Sequence, residues 1–245
     1  MKHLLLIGIG PGNPRQITLE AIDAMNRADV FFVLDKHQSN DDMLQLRKQM
    51  LADLVTRPFR LVQVDDPRRD AEAGDYLGAV RDWHQQRAAL YARLLAEELG
   101  EGECGAFLLW GEPGLYDSTL RILEQVQGQE FCLEVIPGIS SVQALAARHR
   151  VPLNRIGEPI QILPGRRLAE VARIDNLLVM LDGKCAFAEL DDPELDIYWG
   201  AYLGSPDEIL ISGPLAAVKA SILAAREEAR ARKGWIMDTY LLRRR

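Results

Sequence analysis

Three glycine-containing turns in this chain are the segments best suited to holding a ligand. They are residues 8–12 (Gly-Ile-Gly-Pro-Gly), residues 110–118 (Trp-Gly-Glu-Pro-Gly-Leu-Tyr-Asp-Ser) and residues 136–141 (Ile-Pro-Gly-Ile-Ser-Ser). Because glycine lacks a Cβ, a ligand can approach the backbone closely at such turns. Structural alternatives exist for two of them. The first turn could merely connect a strand to a helix, and Ser140 or Ser141 could be a helix N-cap.

The first turn invites comparison with the glycine-rich loop that binds the pyrophosphate of a dinucleotide. That loop has glycine or alanine at its sixth position, where this chain has Asn13. Pro11 and Pro14 also lack the N–H groups that would bind a pyrophosphate. Asp35 supplies an acid near the expected ribose position, but that alone is a weak indication. The sequence therefore disfavours a nicotinamide dinucleotide.

The second turn carries an unusual combination of side chains. Two glycines and a proline fix its path, and it contains Glu112, Tyr116 and Asp117. Core packing requires none of these residues. Because three such turns at the ends of parallel strands would converge on one crevice, their combination favours a ligand over three independent caps.

The elements that must position these turns alternate along the first half of the chain. Apolar runs predict strands at residues 4–7, 30–34, 59–64, 105–110 and 131–136. Helices are predicted at residues 18–27, 41–54 and 76–99, and further helices begin at Ser118 and Ser140. This alternation predicts a mostly parallel sheet with helices on both faces.

A segment rich in proline and glycine, residues 149–159, predicts a linker between two α/β domains, residues 1–150 and residues 158–245. In the second domain, strands are expected at residues 160–163, 176–181, 196–203, 208–211 and 235–242. Helices are expected from about residue 166 and over residues 215–230. The two strands beside Ser205 and Pro206 leave no room for a helix between them, so a mixed sheet is expected.

Composition argues against several classes of function. The 245 residues carry a net charge of −7, whereas a nucleic-acid-binding protein needs a basic face. No apolar stretch approaches the roughly 20 residues that span a membrane, and the N-terminus does not form a signal peptide, so a cytoplasmic location is expected. The three cysteines are expected to be buried free thiols. No two histidines have metal-ligand spacing, so no metal site is predicted.

Some charged and polar residues receive a purely structural interpretation. The acidic run at residues 191–196 is expected on an outer surface, and residues 243–245, three arginines, are expected to form a solvated tail. His84 is expected on the exposed face of a helix, and His149 at the linker.

The order and spacing of the turns resemble the tetrapyrrole (corrin/porphyrin) methylase family. The resemblance rests on the N-terminal strand followed by GxGPG, a GDPxxY-like segment near residue 111 and PGxSS near residue 137, and it covers essentially the whole chain. It implies two α/β domains with the active-site cleft between them. One departure is Glu112, where the family usually has Asp, which leaves open whether this carboxylate meets the cofactor directly or through water.

The resemblance implies S-adenosylmethionine as cofactor, folded in that cleft and converted to S-adenosylhomocysteine. Carried over by motif, the cofactor-binding residues of the first half are Pro11, Gly111, Glu112, Leu115, Tyr116, Ser140 and Ser141. From the second domain, Met180 and Leu181 would flank the adenine, with Tyr202, Leu203, Pro214 and Leu215 nearby.

Residues 110–123, 198–208 and 234–244 more closely resemble a deacetylating branch of this family. That resemblance implies the reaction, which is methylation of precorrin-5 at C-1 in cobalamin synthesis with release of acetate to give precorrin-6A. Water must attack the acetyl carbonyl, and a positioned base would assist it. The candidates, all in loops expected at the cleft, are Asp117, Tyr116, Asp35 and His37. Asp117 could instead cap the following helix, and His37 could be a solvated loop residue. The resemblance further suggests a homodimer.

The implied substrate carries many carboxylates, so an acidic protein would need a locally basic pocket. Candidate partners for these carboxylates are Arg15, Lys36, Arg148, Arg166 and Arg167. Each of the five could equally be an ordinary surface charge. Two other functions stay open: methylation of a precorrin at a different ring carbon, and a nucleotide-binding regulatory protein without turnover.

Overall fold

The computed structural model describes residues 1–35, 42–70 and 74–245. The chain groups into two compact units, one of residues 1–10 with 14–139 and one of residues 11–13 with 140–245. Within the described ranges, each unit contains one five-stranded sheet. The chain is therefore a mixed α/β protein, as the sequence predicts.

The sheet of the first unit is parallel throughout. Its strands are β1 (Lys2–Gly8), β2 (Val30–Asp35), β3 (Arg60–Asp65), β4 (Cys104–Leu109) and β5 (Phe131–Ile136). They lie in the order β3-β2-β4-β1-β5. The strands β1, β4 and β5 are neighbours, so the loops at their carboxyl ends meet at one edge of the sheet. This parallel arrangement confirms the prediction.

Helices cover this sheet on both faces. They are α1 (Leu19–Met25), α2 (Asp42–Leu54), α3 (Tyr76–Glu97) and α4 (Thr119–Leu123). Leu4 and Leu6 of β1 pack in a core with α3, whereas Leu5 and Ile7 pack in a second core with α1 and α2. Alternate side chains of an apolar strand point to opposite faces, which explains why β1 is apolar throughout.

The sheet of the second unit is mixed. Its elements are α5 (Ser141–His149), β6 (Gln161–Pro164), β7 (Asn176–Met180), β8 (Leu195–Ala201), β9 (Ile209–Pro214), α6 (Leu215–Lys233) and β10 (Asp238–Arg244). The order is β6-β7-β10-β8-β9, with β6 and β7 parallel and the other pairs antiparallel. A short turn joins β8 to β9 as expected. A 3-10 helix, Gly165–Glu170, replaces the helix expected from residue 166.

Helix α5 belongs to the second unit by its contacts. The sequence instead predicts this segment in the first domain, because the prolines and the glycine that follow it indicate a domain linker. His149 is the last residue of α5 and lies within this unit, with its Nε2 3.0 Å from the Trp199 carbonyl oxygen. Burial lowers the pKa of His149.

The C-terminal arginines are not a solvated tail, which corrects the prediction. Arg243 and Arg244 belong to strand β10. Arg244 donates to Asp192 at 2.6 Å and to Glu194 at 2.9 Å, so the acidic run is paired with the strand rather than merely solvated. The sequence shows both charge runs but not that the fold brings them together.

Two expectations about side-chain exposure are also wrong. His84 is half-buried, and within the described residues its Nε2 has no hydrogen-bond partner. Cys132 is exposed on β5, and Cys104 and Cys185 are only half-buried, although all three cysteines in the described ranges are free. No helix in the described part of the chain has the length and apolar character to cross a membrane.

Candidate functional site

The first and second turns are joined by backbone hydrogen bonds in the first unit. Gly10 N–H donates to the Gly111 carbonyl at 3.3 Å, and Gly111 N–H donates to the Gly10 carbonyl at 2.9 Å. Gly10 and Gly111 have φ angles of 79° and 70°, in the left-handed region that glycine adopts without strain.

The third turn packs directly against the other two. A Cβ on Gly138 would lie 2.1 Å from the Gly111 carbonyl oxygen, and a Cβ on Gly8 would lie 2.6 Å from the Gly138 nitrogen. Glycine is required at these positions because the backbones touch. The predicted convergence of the three turns is thus confirmed for residues 8–10, 111 and 138.

Glu112 connects the second turn to the third. Its Oε1 accepts the Gly114 N–H and its Oε2 accepts the Gly138 N–H, both at 2.8 Å. The carboxylate expected beside the cofactor is therefore engaged by protein backbone. Sequence reasoning could not show this, because Gly138 lies far from Glu112 in sequence.

The remainder of the second turn combines strain with exposure. Tyr116 has a φ of 55°, which is uncommon for a residue with a Cβ, and its side chain is 41% exposed. Asp117 Oδ1 accepts the Thr119 N–H at 2.7 Å, so its side chain satisfies the first N–H of α4, although the N-cap residue itself is Ser118. Leu115 is half-buried within the same turn.

A buried ion pair that the sequence interpretation missed lies near this turn. Arg87 Nε of α3 donates to Asp66 Oδ1 at 2.7 Å, and both residues are buried. Burial lowers the pKa of Arg87, but its hydrogen bond to Asp66 and the charges of Asp66 and Asp117 raise it on balance. Burial raises the pKa of Tyr91 to about 12, and the Asp117 charge adds to that rise. The one sequence feature that pointed to this ion pair is the position of an acid, Asp66, just after a predicted strand.

The remaining candidates of the first unit lie at its edge or outside the described residues. Asp35 ends β2, and its Oδ2 accepts a hydrogen bond from Gln63 Nε2 at 2.7 Å. Arg15 is exposed in the 3-10 helix Pro14–Gln16. Lys36 and His37 lie outside the described residues.

In the second unit, Pro11 is buried and Gly12 packs against the turn after β8. A Cβ on Gly12 would lie 2.7 Å from the Leu203 carbonyl oxygen. Tyr202 has a φ of 49°, and its hydroxyl donates to the Trp235 carbonyl at 2.6 Å. Because the Tyr202 and Leu203 side chains are buried, this turn can offer a ligand little more than its backbone.

The serines of the third turn start helix α5. Ser140 is its N-cap, with Oγ accepting the Val142 N–H at 3.1 Å and Gln143 completing a capping box. The capping alternative is therefore realised for Ser140. Ser141 is the half-buried first residue of the helix.

The other four cofactor candidates differ sharply in exposure. Leu181 has a φ of 53° and its side chain is 59% exposed, directly after Met180 at the end of β7. Pro214 ends β9 with an exposed side chain, whereas Leu215 is buried in the core. Among the four, Leu181 and Pro214 therefore have exposed side chains.

The candidate substrate arginines of the second unit are divided between two sites. Arg148 pairs with Glu208, which also accepts the Gly204 N–H at 2.8 Å and thereby supports the turn after β8. Arg166 and Arg167 are both exposed on the 3-10 helix Gly165–Glu170. Arg167 pairs with Glu170 at 2.6 Å.

Comparison with known proteins places this chain among the methylases. Residues 3–219 match the family described as Tetrapyrrole (Corrin/Porphyrin) Methylases. A precorrin-6A synthase [deacetylating] of Sinorhizobium sp is 50% identical over 250 residues, covering 100% of this chain and 96% of the relative. A precorrin-2 C(20)-methyltransferase of Sinorhizobium sp is 28% identical, covering 69% of each chain.

Solved structures share the fold. A cobalamin synthesis related protein (CobF) from Corynebacterium diphtheriae has a TM-score of 0.85 and 37% identity, covering 100% of this chain and 99% of that one. A uroporphyrin-III C-methyl transferase from Thermus thermophilus, complexed with S-adenosylhomocysteine, has a TM-score of 0.61 and 19% identity over 98% of this chain and 92% of that one, which shows the fold alone.

With these matches, the two sheets and the three joined turns are those of an α/β methylase. The chain belongs to the tetrapyrrole (corrin/porphyrin) methylase family, as the spacing of its turns predicts.

Proposed function

We propose that this chain is the S-adenosylmethionine-dependent C-methyltransferase that methylates precorrin-5 at C-1 and releases acetate, giving precorrin-6A. The observation that carries the proposal is the 50% identity to a precorrin-6A synthase over the whole chain. Residues 110–123, 198–208 and 234–244 carry the closest resemblance to the deacetylating enzymes. They include the second turn, the turn after β8 and strand β10.

Two features of the turns support S-adenosylmethionine as the cofactor. In the first unit, Gly8, Gly111 and Gly138 bring three backbones into contact at the carboxyl edge of the sheet. Tyr116 and Leu181 keep strained φ angles while exposing their side chains, an arrangement that persists where function requires it. We assign the adenine of the cofactor to Met180 and Leu181 of the second unit.

When bound, S-adenosylmethionine supplies a methyl group on a sulfonium, so the protein needs chiefly to orient the two reactants. Glu112 fixes the relative position of the second and third turns through its two hydrogen bonds. Asp117 holds one carboxylate oxygen on the Thr119 N–H, which leaves Oδ2 as the atom we assign to accept a proton from the attacking water.

For the substrate carboxylates, Arg166 and Arg167 are the strongest candidates of the second unit, because they are adjacent and both are exposed on one short 3-10 helix. Arg148 is a weaker candidate, because its partner Glu208 also accepts the Gly204 N–H, so that this pair supports the turn after β8. A cytoplasmic homodimer completes the proposal and rests on the family alone.

The test is incubation of the purified chain with precorrin-5 and methyl-labelled S-adenosylmethionine, followed by mass analysis. We expect one labelled methyl group in the product and one equivalent of free acetate. Methylation of an earlier precorrin without acetate would assign the chain to another member of the family. Binding of S-adenosylhomocysteine without product from any precorrin would instead support the regulatory alternative.

A further inference from the structure

The loop of residues 181–185 after β7 follows a backbone path that residues with a Cβ rarely adopt. Leu181 has a φ of 53° and Cys185 a φ of 56°, so two left-handed residues bracket the loop. Such conformations persist only where the surroundings hold them. The Leu181 side chain is largely exposed, so its own packing does not hold the loop.

Asp182 ties the loop together from inside. It is 5% exposed, and its Oδ2 accepts the Ala186 N–H at 2.7 Å while its Oδ1 accepts the Lys184 N–H at 3.2 Å. The Tyr240 hydroxyl donates to the same Oδ2 at 2.7 Å. Burial raises the pKa of Tyr240, and the bond to Asp182 raises it further, so this hydroxyl remains a donor.

The Arg226 side chain of α6 binds the backbone of Asp182. Its Nη2 donates to the Asp182 carbonyl at 2.9 Å, and its Nε donates to Asp238 Oδ2 at 3.0 Å. Asp238 Oδ2 also accepts the Trp199 indole N–H at 2.9 Å. Breaking the Arg226–Asp238 pair would leave a buried charge unsatisfied, so Arg226 resists displacement. The loop is therefore held from helix α6 and from strand β10, while Trp199 of β8 holds Asp238.

Gly165 closes the pocket around Asp182 on the remaining side. A Cβ added at Gly165 would lie 2.5 Å from the side-chain atoms of Asp182. Glycine is needed here because the Asp182 side chain occupies the space that a Cβ would fill. Substitution of Gly165 by alanine would therefore displace Asp182 without changing any of its hydrogen-bonding groups.

We infer that Asp182, Tyr240 and Arg226 are positioning residues that hold Leu181 against the adenine of the cofactor. None of the three belongs to the residues that the family motifs point to, and each acts through the loop rather than by touching the cofactor. The inference rests on the proposed function, since that function assigns Leu181 to the cofactor.

The experiment measures binding of S-adenosylhomocysteine to the full chain by calorimetry, with the melting temperature of each variant recorded beside it. We expect Asp182→Ala and Gly165→Ala to raise the Kd at least tenfold. Asp182→Asn retains an oxygen for Ala186 and Tyr240, so it should stay within about threefold of the wild type. With methyl transfer measured at saturating cofactor, kcat and the KM for the tetrapyrrole should change little.

Asn176→Ala is the matched control. Asn176 is equally buried at the other end of β7, where it bonds Leu153 and Arg243. The Asn176→Ala variant should have a lower melting temperature but an unchanged Kd for S-adenosylhomocysteine. If Asp182→Ala behaves like this control, the role of Asp182 is only structural and the inference is wrong. Should Asp182→Ala not fold, Tyr240→Phe must weaken binding by about threefold, and an unchanged Kd would refute the inference.

Failure of the cofactor assignment gives a different result, because the wild-type chain itself would then not bind S-adenosylhomocysteine and the positioning role would be refuted with it. A wild-type chain that binds S-adenosylhomocysteine but methylates another precorrin overturns the proposed substrate alone, and the variants then test the positioning role as before.

Discussion

At the scale of single residues, the three turns depend on a few polar contacts that lie at a distance in sequence. Glu112 was recognisable as an acid in an unusual turn, but its two hydrogen-bond donors, the N–H groups of Gly114 and Gly138, belong to different turns. Only the packing of β1 between β4 and β5 brings them together. Sequence reasoning therefore found the residue and left its role open.

Glu112→Ala should weaken cofactor binding more than it weakens folding. Without the carboxylate, the second and third turns lose their common anchor, and we expect the Kd for S-adenosylhomocysteine to rise about tenfold, which corresponds to about 1.4 kcal/mol. Calorimetry measures this. Glu103→Ala is the control, because Glu103 also accepts a turn N–H, from Gly100, but at the opposite end of β4. Equal effects of the two substitutions on binding would contradict the role of Glu112.

His84 should make the fold sensitive to mild acid. Burial lowers the pKa of this imidazole, and the charges of Arg121 and Arg87 lower it further. Below the ordinary histidine pKa of about 6.5 the unfolded chain then binds more protons than the folded chain, so the free energy of unfolding falls as the pH falls.

Urea denaturation at pH 7.5 and pH 5.5 measures this dependence. The wild type should lose more stability between the two pH values than His84→Gln does. His3→Gln provides the control, since His3 is exposed on β1. If His84→Gln and the wild type lose the same stability, the group responsible lies elsewhere.

At the scale of elements, periodicity located nearly every strand and helix, because buried strands such as β1 and β4 are continuous apolar runs. Periodicity did not show which of the two units each helix belongs to. Helix α5 groups with the second sheet through contacts with β8, β9 and β10, and no local pattern encodes such long-range contacts. The arginines of β10 were misinterpreted for the same reason, since their partners lie about 50 to 90 residues away in sequence.

Arg243→Gln should destabilise the second unit. Arg243 donates to Asn176 Oδ1 at 3.0 Å and to the backbone carbonyls of Pro152 and Leu153 at 2.6 and 3.1 Å, which fixes the chain between α5 and β6 on the sheet. Hydrogen bonds to charged groups contribute roughly 1.5–3 kcal/mol, so a loss of that size is expected in urea denaturation. Arg232→Gln, which breaks an exposed pair with Asp207, should change stability far less. If the two variants have equal stabilities, Arg243 contributes no more than a solvated surface arginine, and the prediction is wrong.

At the scale of the whole molecule, net charge and substrate chemistry are in conflict. The chain carries a charge of −7, and the proposed tetrapyrrole carries many carboxylates, so long-range electrostatics oppose their association. The extended acidic run does not add its full charge to the surface, because Arg244 and Arg245 pair with three of its carboxylates. Binding must then depend on local positive charge, and the 3-10 helix Gly165–Glu170 presents two adjacent exposed arginines.

Replacing Arg166 and Arg167 together by alanine should therefore raise the KM for the tetrapyrrole by about tenfold while leaving the Kd for S-adenosylhomocysteine nearly unchanged. Because ions screen exposed charges over roughly 10 Å at 0.1 M, the ratio of the KM of the double variant to the KM of the wild type should also fall as salt is added. Steady-state kinetics at two salt concentrations, with calorimetry for the cofactor, measure both effects. Arg173→Gln removes an exposed arginine that pairs with Asp175 in the same unit, and it should alter neither constant. A parallel loss of cofactor and tetrapyrrole affinity would mean that the 3-10 helix supports the fold of the site rather than binding the substrate carboxylates.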